Sequence, residues 1–301
     1  MPQPLSDEEL ERHRVEAIRR FVEQRLAEGD RPYKETFGKY REKVEDLFEK
    51  TEALQNLDPD ILRRHACLLT PLRYACAPPI SKDDLETLSR ALLEMRRTDK
   101  QARQSQALWI ARVDVLKQLL DPYRFPWLAE GRCPTLQERD AAVIATASLW
   151  CAQVVATHRR GEASKNQQEA VKAVIQKSGY TLIKRTKFTV PAAEIEVGKY
   201  SLEAQLDVHK ADFVVRTGYV RVLAIECKVS NSATNSIKRI NDVINKARAW
   251  KQRFGDLVTP VAILGGVFKL TDLRRTQAEG VYLVFDHDLD RLTALLGKRG
   301  R

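Results

Sequence analysis

Long hydrophobic runs are scarce in this sequence. The longest apolar stretch, residues 141–156, spans 16 residues and is interrupted by Thr146, Ser148 and Gln153. A stretch of this length is short for a membrane span and predicts a buried helix instead. Residues 1–20 mix acidic and basic side chains and lack the apolar core of a signal peptide, so we expect no targeting signal and no membrane association.

Paired cysteines and closely spaced histidines are also missing. The five cysteines are odd in number and scattered, with no CxxC pair, and the five histidines form no H-x3-H pair. This spacing argues against a disulfide framework and against a zinc site. A reducing cytoplasm is therefore the expected compartment.

The first half of the chain has almost no net charge, and the basic excess lies in the second half. Residues 1–150 contain 25 Lys and Arg against 26 Asp and Glu, whereas residues 151–301 contain 26 against 15. Such asymmetry favours a second half that faces a polyanion, most often nucleic acid. The alternative is a solvated surface that happens to be rich in lysine.

The first half has the pattern of helices. Ser6 with Glu9, and Thr135 with Glu138, have the spacing of capping boxes that begin helices. Apolar residues then recur at helical spacing. We expect helices at 6–28, 33–54, 81–97, 101–120 and 135–160. These elements predict an all-helical N-terminal domain over residues 1–155.

Residues 156–301 have a different pattern, in which β-type segments alternate with helices. A short helix is expected at 164–177, with Gly161 before it and Gly179 after it. Strands are expected at 180–190, 201–209, 211–216, 219–229, 258–267 and 281–285, and helices at 235–254, 271–278 and 289–296. This order is typical of an α/β (α+β) domain with a mixed β-sheet flanked by helices.

Three charged residues stand at the ends of one predicted hairpin. Asp212 begins its first strand, Thr217-Gly218 is a turn signal, and Glu226 and Lys228 end its second strand. Because side chains alternate along a strand, Glu226 and Lys228 share a face while Ile225 and Cys227 point the other way. Two carboxylates and an ammonium would then converge. Carboxylates bind Mg²⁺ for phosphodiester hydrolysis. We expect Lys228 to orient the attacking water and offset developing charge, and a lysine in such a site can also help take the proton.

The pattern Asp-x13-Glu-x-Lys across a hairpin resembles the PD-(D/E)XK nuclease superfamily, with Ala211 where the superfamily name has proline. The resemblance implies a restriction-endonuclease-like core, with Asp212 and Glu226 as metal ligands. It also implies an additional acidic or Gln residue on the preceding helix. Glu169 is the matching residue for catalysis and metal binding, and Gln168 is the second choice. The alternative for Glu169 is an ordinary exposed helix glutamate.

The run from Ile225 to Asn241, IECKVSNSATNSIKRIN, resembles the XamI-type restriction endonuclease family. That resemblance implies a type II restriction enzyme that cuts double-stranded DNA at specific sequences with Mg²⁺. The DNA-contacting residues expected in this run are Asn231, Ser232, Asn235, Lys238 and Arg239, which bind base edges or phosphates. The alternative for the two asparagines is that they only cap the following helix.

Cleavage of both strands at a two-fold symmetric site needs two active centres, which favours a homodimer. A restriction enzyme also implies a partner DNA methyltransferase that protects host DNA. Two other functions remain open from the sequence. One is a DNA repair or recombination nuclease on the same core, and the other is a catalytically inactive DNA-binding module.

Overall fold

The computed structural model describes residues 3–95, 106–218 and 221–297. The chain divides into two compact units, one built of helices and one built around a sheet. The helical unit comprises Gly29–His158, and the sheet unit comprises Met1–Glu28 together with Arg159–Arg301.

Twelve α-helices lie within the described ranges. They are α1 (Asp7–Glu28), α2 (Arg31–Lys50), α3 (Pro59–Arg64), α4 (Leu69–Tyr74), α5 (Lys82–Met95), α6 (Gln106–Leu119), α7 (Pro126–Glu130), α8 (Leu136–Lys177), α9 (Pro191–Glu194), α10 (Ala233–Phe254), α11 (Leu270–Ala278) and α12 (Asp290–Leu296). Short 3₁₀ turns occur at Ala66–Leu68 and Gly255–Leu257.

Several helices begin at the predicted capping residues. Ser6 and Glu9 exchange side-chain bonds to each other's backbone N–H groups before α1, and Thr135 and Glu138 do the same before α8. Asp84 N–H donates to Ser81 Oγ at the start of α5. The predicted end of that helix at 97 and the predicted start of the next at 101 lie outside the described residues.

Helix α8 corrects one prediction, because a single helix replaces the two expected at 135–160 and 164–177. One glycine costs a helix interior about 1 kcal/mol relative to alanine, which 42 residues of hydrogen-bonded helix tolerate. By length and composition alone α8 could span a membrane, since an 18-residue window has a mean hydropathy of 1.4. Ala142, Val143, Ala147 and Trp150 pack into the core of the helical unit, as predicted for a buried helix.

The sheet unit is built on a seven-stranded mixed sheet. Its strands are β1 (Thr181–Leu182), β2 (Lys187–Phe188), β3 (Lys199–Leu206), β4 (His209–Arg216), β5 (Val222–Ser230), β6 (Val258–Gly266) and β7 (Tyr282–Phe285). The strand order is β1-β3-β4-β5-β6-β7, and β2 also pairs with β3. The β3–β4 and β4–β5 pairs are antiparallel, and the β5–β6 and β6–β7 pairs are parallel. The mixed sheet flanked by helices confirms the predicted fold class.

One predicted strand is much shorter than expected. Residues 180–190 form only the two-residue strands β1 and β2. Between them the carbonyl of Arg185 accepts a hydrogen bond from the Ser201 hydroxyl. A side chain thus satisfies a backbone group that a continuous ladder would have paired.

Helix α1 belongs to the sheet unit, although the sequence-based division at 155/156 placed it with the N-terminal helices. Its Leu10 and Ala17 are buried in a cluster with Ile240 of α10, Leu264 of β6 and Phe285 of β7. This packing joins residues far apart in the chain, and amphipathic periodicity alone does not reveal such a partner.

Gly266 closes β6 with a backbone that tolerates no side chain. Its φ is +87°, and a Cβ built there would lie 2.2 Å from the Ser230 carbonyl oxygen. We expect Gly266→Ala to lower the free energy of unfolding by about 2 kcal/mol or more, because it adds backbone strain and a clash. Urea denaturation of the purified variant measures this change.

Gly161→Ala is the matched control, because a Cβ built at Gly161 meets no described atom within 4 Å beyond its chain neighbours and the nearby backbone of its own helix. Inside α8 this exchange should stabilise the protein by about 0.5–1 kcal/mol. Equal effects of the two exchanges would contradict the assignment of strain to Gly266.

Candidate active site

The β4–β5 hairpin brings Asp212 and Glu226 together where its two strands part. The antiparallel register pairs Phe213 with Ile225, so Asp212 and Glu226 occupy the next position. There the Asp212 carboxylate inserts between the strands, and its Oδ2 accepts the Cys227 N–H at 2.6 Å. The Asp212 side chain thus accepts the N–H that a backbone carbonyl would accept in a continuous ladder. This bond holds the Asp212 carboxylate in place.

Alternation along β5 separates its charged residues from its apolar ones. Ile225 and Cys227 are buried in a cluster with Phe213, Val261 and other apolar side chains. Glu226 and Lys228 lie on the opposite face, where both contact α10. This is the arrangement that strand periodicity predicts.

Glu226 is the centre of a buried ion cluster. Its side chain is only 2% exposed, and its Oε2 lies 2.7 Å from Lys228 Nζ and 2.9 Å from Lys246 Nζ. Lys228 Nζ also lies 2.8 Å from Asp242 Oδ2 on α10. Lys246 Nζ donates in addition to the Lys210 carbonyl at 2.9 Å. Two ammonium groups therefore converge on one carboxylate oxygen.

Burial and neighbouring charges shift the pKa values of this cluster in opposite directions. Burial raises the pKa of Glu226 and the nearby Asp212 adds to the rise, while Lys228 opposes it. Burial alone would lower the pKa of Lys228, but the carboxylates of Glu226 and Asp242 outweigh it, and the net shift of the Lys228 pKa is upward. Lys228 is therefore held as an ammonium, which suits charge stabilisation better than proton abstraction.

Glu226 Oε1 is buried and has no hydrogen-bond partner among the described residues. A buried, unpaired carboxylate oxygen is costly unless something else satisfies it. With the Asp212 carboxylate beside it, Oε1 fits the ligand set of Mg²⁺, which takes one or two carboxylates and completes its shell with water and phosphate oxygens. Within the described ranges no group of three or more His, Cys, Asp or Glu side chains could hold a metal alone.

The structure brings Gln168, and not Glu169, to this site. Gln168 Nε2 lies 3.4 Å from Asp212 Oδ1. Glu169 has a 61% exposed side chain and lies 3.4 Å from Lys172 on the same helix. A step of one residue turns a helix by about 100°, so Gln168 and Glu169 point in different directions from α8. The second choice made from sequence is the residue that contacts the site.

The residues expected to contact DNA lie around one cleft of about 250 Å³. We call it the α8–α10 cleft. Its polar lining comprises Arg160, Ser164, Ser230, Asn231, Asn235, Lys238 and Arg239. Ser232 has a different place. Its hydroxyl accepts the Asn235 N–H at 3.2 Å and caps α10, so the cap expected from Asn231 or Asn235 is supplied by Ser232.

Two members of the ion cluster were not identified as site residues from sequence. Asp242 and Lys246 are four residues apart on α10, a spacing that predicts a helical pair. That spacing gives no sign that both side chains also contact β5. Only the packing of α10 on the sheet reveals their contact with the site.

Lys246→Met tests whether this lysine stabilises the cluster. We expect the free energy of unfolding to fall by about 1–3 kcal/mol, because Glu226 loses one of its two cationic partners and the Lys210 carbonyl loses its donor. Urea denaturation at neutral pH is the measurement. Lys251→Met, at an exposed position of the same helix, should change stability by less than about 0.5 kcal/mol. Equal losses in the two variants would refute the stabilising role.

Comparison with known proteins places these features in a family. The family model of the XamI restriction endonuclease matches residues 52–285. The chain is 36% identical over 255 residues to the type II restriction enzyme XamI of Xanthomonas campestris pv. amaranthicola, covering 82% of this chain and 90% of that protein. It is 23% identical over 297 residues to the type II restriction enzyme SalI of Streptomyces albus G, covering 92% and 94%.

The chain therefore belongs to the XamI restriction endonuclease family, which makes it a nuclease. Among solved structures, protein VC1899 from Vibrio cholerae aligns with a TM-score of 0.30 and 11% identity, over 86% of this chain and 58% of that one. A similarity this low does not indicate a shared fold.

Proposed function

We propose that this protein is a type II restriction endonuclease that hydrolyses phosphodiester bonds in double-stranded DNA at a specific sequence, with Mg²⁺. The observation that carries the proposal is the buried, unpaired Oε1 of Glu226 beside Asp212, with Lys228 on the same face. In this proposal Asp212 and Glu226 hold the metal, and Gln168 takes the place that sequence gave to Glu169. The named activity of the relatives supports the same reaction class.

Phosphodiester hydrolysis needs a polarised phosphate and an acidified water, and a bound Mg²⁺ supplies both. The protein's part is to fix the ligands and the charge around them. The Cys227 N–H holds the Asp212 carboxylate at 2.6 Å, and Lys228 and Lys246 hold Glu226 by its Oε2. Both ligands are thus oriented before DNA arrives, so little reorganisation remains to be done during the reaction.

We assign two roles to Lys228: it orients the attacking water, and it stabilises the negative charge that develops on the phosphoryl oxygens. Its side chain is 12% exposed, and its ammonium is held between Glu226 and Asp242. A charge fixed in a site of low dielectric acts more strongly than one in water. Lys246, on α10, donates to the Lys210 carbonyl and to Glu226 Oε2, and we assign it a role that acts through Glu226.

The remaining parts of the proposal concern partners and compartment. Cutting both strands of a two-fold symmetric site requires two centres, so we infer a homodimer. Protection of host DNA requires a methyltransferase of the same specificity as a functional partner. The unpaired, scattered cysteines support a reducing cytoplasm.

Membership in a restriction endonuclease family favours this function over a repair or recombination nuclease. The inactive binding module is disfavoured by the ion cluster itself. A buried carboxylate with one unpaired oxygen is costly to keep, and a site without chemistry has no need of it.

Plasmid cleavage tests the proposed function. With Mg²⁺ the parent should give discrete fragments, and Asp212→Ala should give none, because one metal ligand is lost. Lys228→Ala should cut about 10²–10³-fold more slowly, the cost of losing one charge-stabilising donor. The control is Asp256→Ala, at an exposed position after α10, which should cut like the parent. A smear of fragments, cleavage limited to branched DNA, or activity in Asp212→Ala would contradict the proposal.

Gln168→Ala and Glu169→Ala form a matched pair on one helix. We expect Gln168→Ala to slow cleavage by about 10–100-fold, the usual cost of removing a partner of a metal ligand, whereas Glu169→Ala should stay within about 2-fold of the parent. Initial rates on a linear plasmid at several Mg²⁺ concentrations measure both. A larger loss in Glu169→Ala than in Gln168→Ala would reverse this assignment.

A further inference from the structure

The charged side chains that line the α8–α10 cleft are all positive. Its ionic side chains are Arg160 from α8 and Lys238 and Arg239 from α10, and none of the described residues that line it is acidic. All three cations are exposed, so a ligand can reach them without first opening the protein core. Ser164, Asn231 and Asn235 add short polar groups between the cations. This composition fits an anionic group that accepts several hydrogen bonds.

The cleft begins next to the proposed metal ligands. Arg160, Ser164 and Gln168 are spaced four residues apart on α8, so they form one stripe along the helix. The last of them contacts Asp212 at 3.4 Å, and the first two line the cleft. On the other side Cys227 belongs to the cleft lining and donates its N–H to Asp212.

The spacing along α8 gives the length of this path. Eight residues of helix span about 12 Å, at 1.5 Å per residue. Phosphates of one DNA strand advance by about 3.4 Å along the duplex axis while the strand also winds around it, so a straight reach of about 12 Å stays within about four nucleotides. Arg160 is therefore placed to meet a phosphate a few nucleotides from the bond that is cut.

The concave shape of the cleft favours contact with the DNA backbone over contact with base edges. Base edges lie at the floor of the DNA grooves, where a protruding helix or β-ribbon is needed to reach them. The sugar–phosphate backbone is the ridge between the grooves and can enter a cleft. Asn231 and Asn235 were open to either role from sequence, and their place in the cleft assigns them to the backbone.

We propose that the α8–α10 cleft binds the DNA backbone within about four nucleotides of the scissile phosphate. Arg160 and Ser164 form one wall of this binding site, and Lys238 and Arg239 form the other. The proposal rests on the proposed function, since it takes double-stranded DNA as the substrate. It adds α8 to the elements that contact DNA. The cleft then positions the DNA backbone in the same way whatever the base sequence of the DNA.

Equilibrium binding in EDTA tests the cleft without the cleavage reaction. The probe is a duplex that contains the site found by plasmid digestion, compared with a duplex that lacks it. Arg160→Ala and Lys238→Ala should each weaken binding to both duplexes by similar factors. Each should also reduce the slope of log K against log salt by about one, the contribution of one phosphate contact.

Lys251→Ala is the matched control, because Lys251 is exposed on the same helix as Lys238 but 13 residues further along, which places it on another face. It should leave affinity and salt slope unchanged. Thermal unfolding of each variant verifies that it is folded. A loss confined to the duplex with the site would mean base reading and would overturn the proposal.

Single neutral methylphosphonate linkages locate the contact on the DNA. The parent should lose affinity when the linkage replaces one phosphate within about four nucleotides of the cut. Arg160→Ala should bind the duplex with that linkage and the unmodified duplex equally well. Additive losses, or no sensitive linkage at that distance, would overturn the cleft assignment.

The two proposals fail in different ways. A parent protein that cuts no DNA contradicts the proposed function. A parent that cuts, together with Arg160→Ala and Lys238→Ala that bind with the parent's affinity and salt slope, contradicts only the cleft.

Discussion

The sharing of Glu226 Oε2 by two lysines is the interaction on which the rest of the site depends. A carboxylate that is 2% exposed would be neutral or displaced without cationic partners. Lys228 and Lys246 provide those partners from two elements, one from β5 and one from α10. Because both bind the same oxygen, Oε2, the other oxygen is left without a hydrogen-bond partner among the described residues. The orientation of the proposed metal ligand thus follows from how α10 packs on the sheet.

The fold supports this arrangement through the parting of β4 from β5. At Phe213 and Ile225 the strands are still paired, and one position further the Asp212 carboxylate takes the Cys227 N–H. On the other side, β5 remains paired with β6 through Ser230 and Gly266. One edge of β5 is therefore rigid while the other opens, which admits a ligand without loosening the sheet.

Local patterns were sufficient to predict most of the long helices, the mixed sheet and the hairpin that carries Asp212, Glu226 and Lys228. They missed four short helices and divided α8 into two. Contacts between distant elements were not, since periodicity shows which face of an element is apolar and not what covers it. For this reason the packing of α1 on the sheet and the contact of Lys246 with Glu226 were missed. The choice between the neighbours Gln168 and Glu169 meets a related limit. Helix phase decides between Gln168 and Glu169, and a sequence fixes that phase to no better than a residue or two.

The most direct test of the account is a crystal structure of the protein bound to duplex DNA with Mn²⁺, in which anomalous scattering locates the metal. We predict a peak within coordination distance of one carboxylate oxygen each from Asp212 and Glu226, with a phosphate oxygen of the DNA beside it. Bound DNA with the metal held by other residues, or with no metal between these two carboxylates, would contradict the central claim.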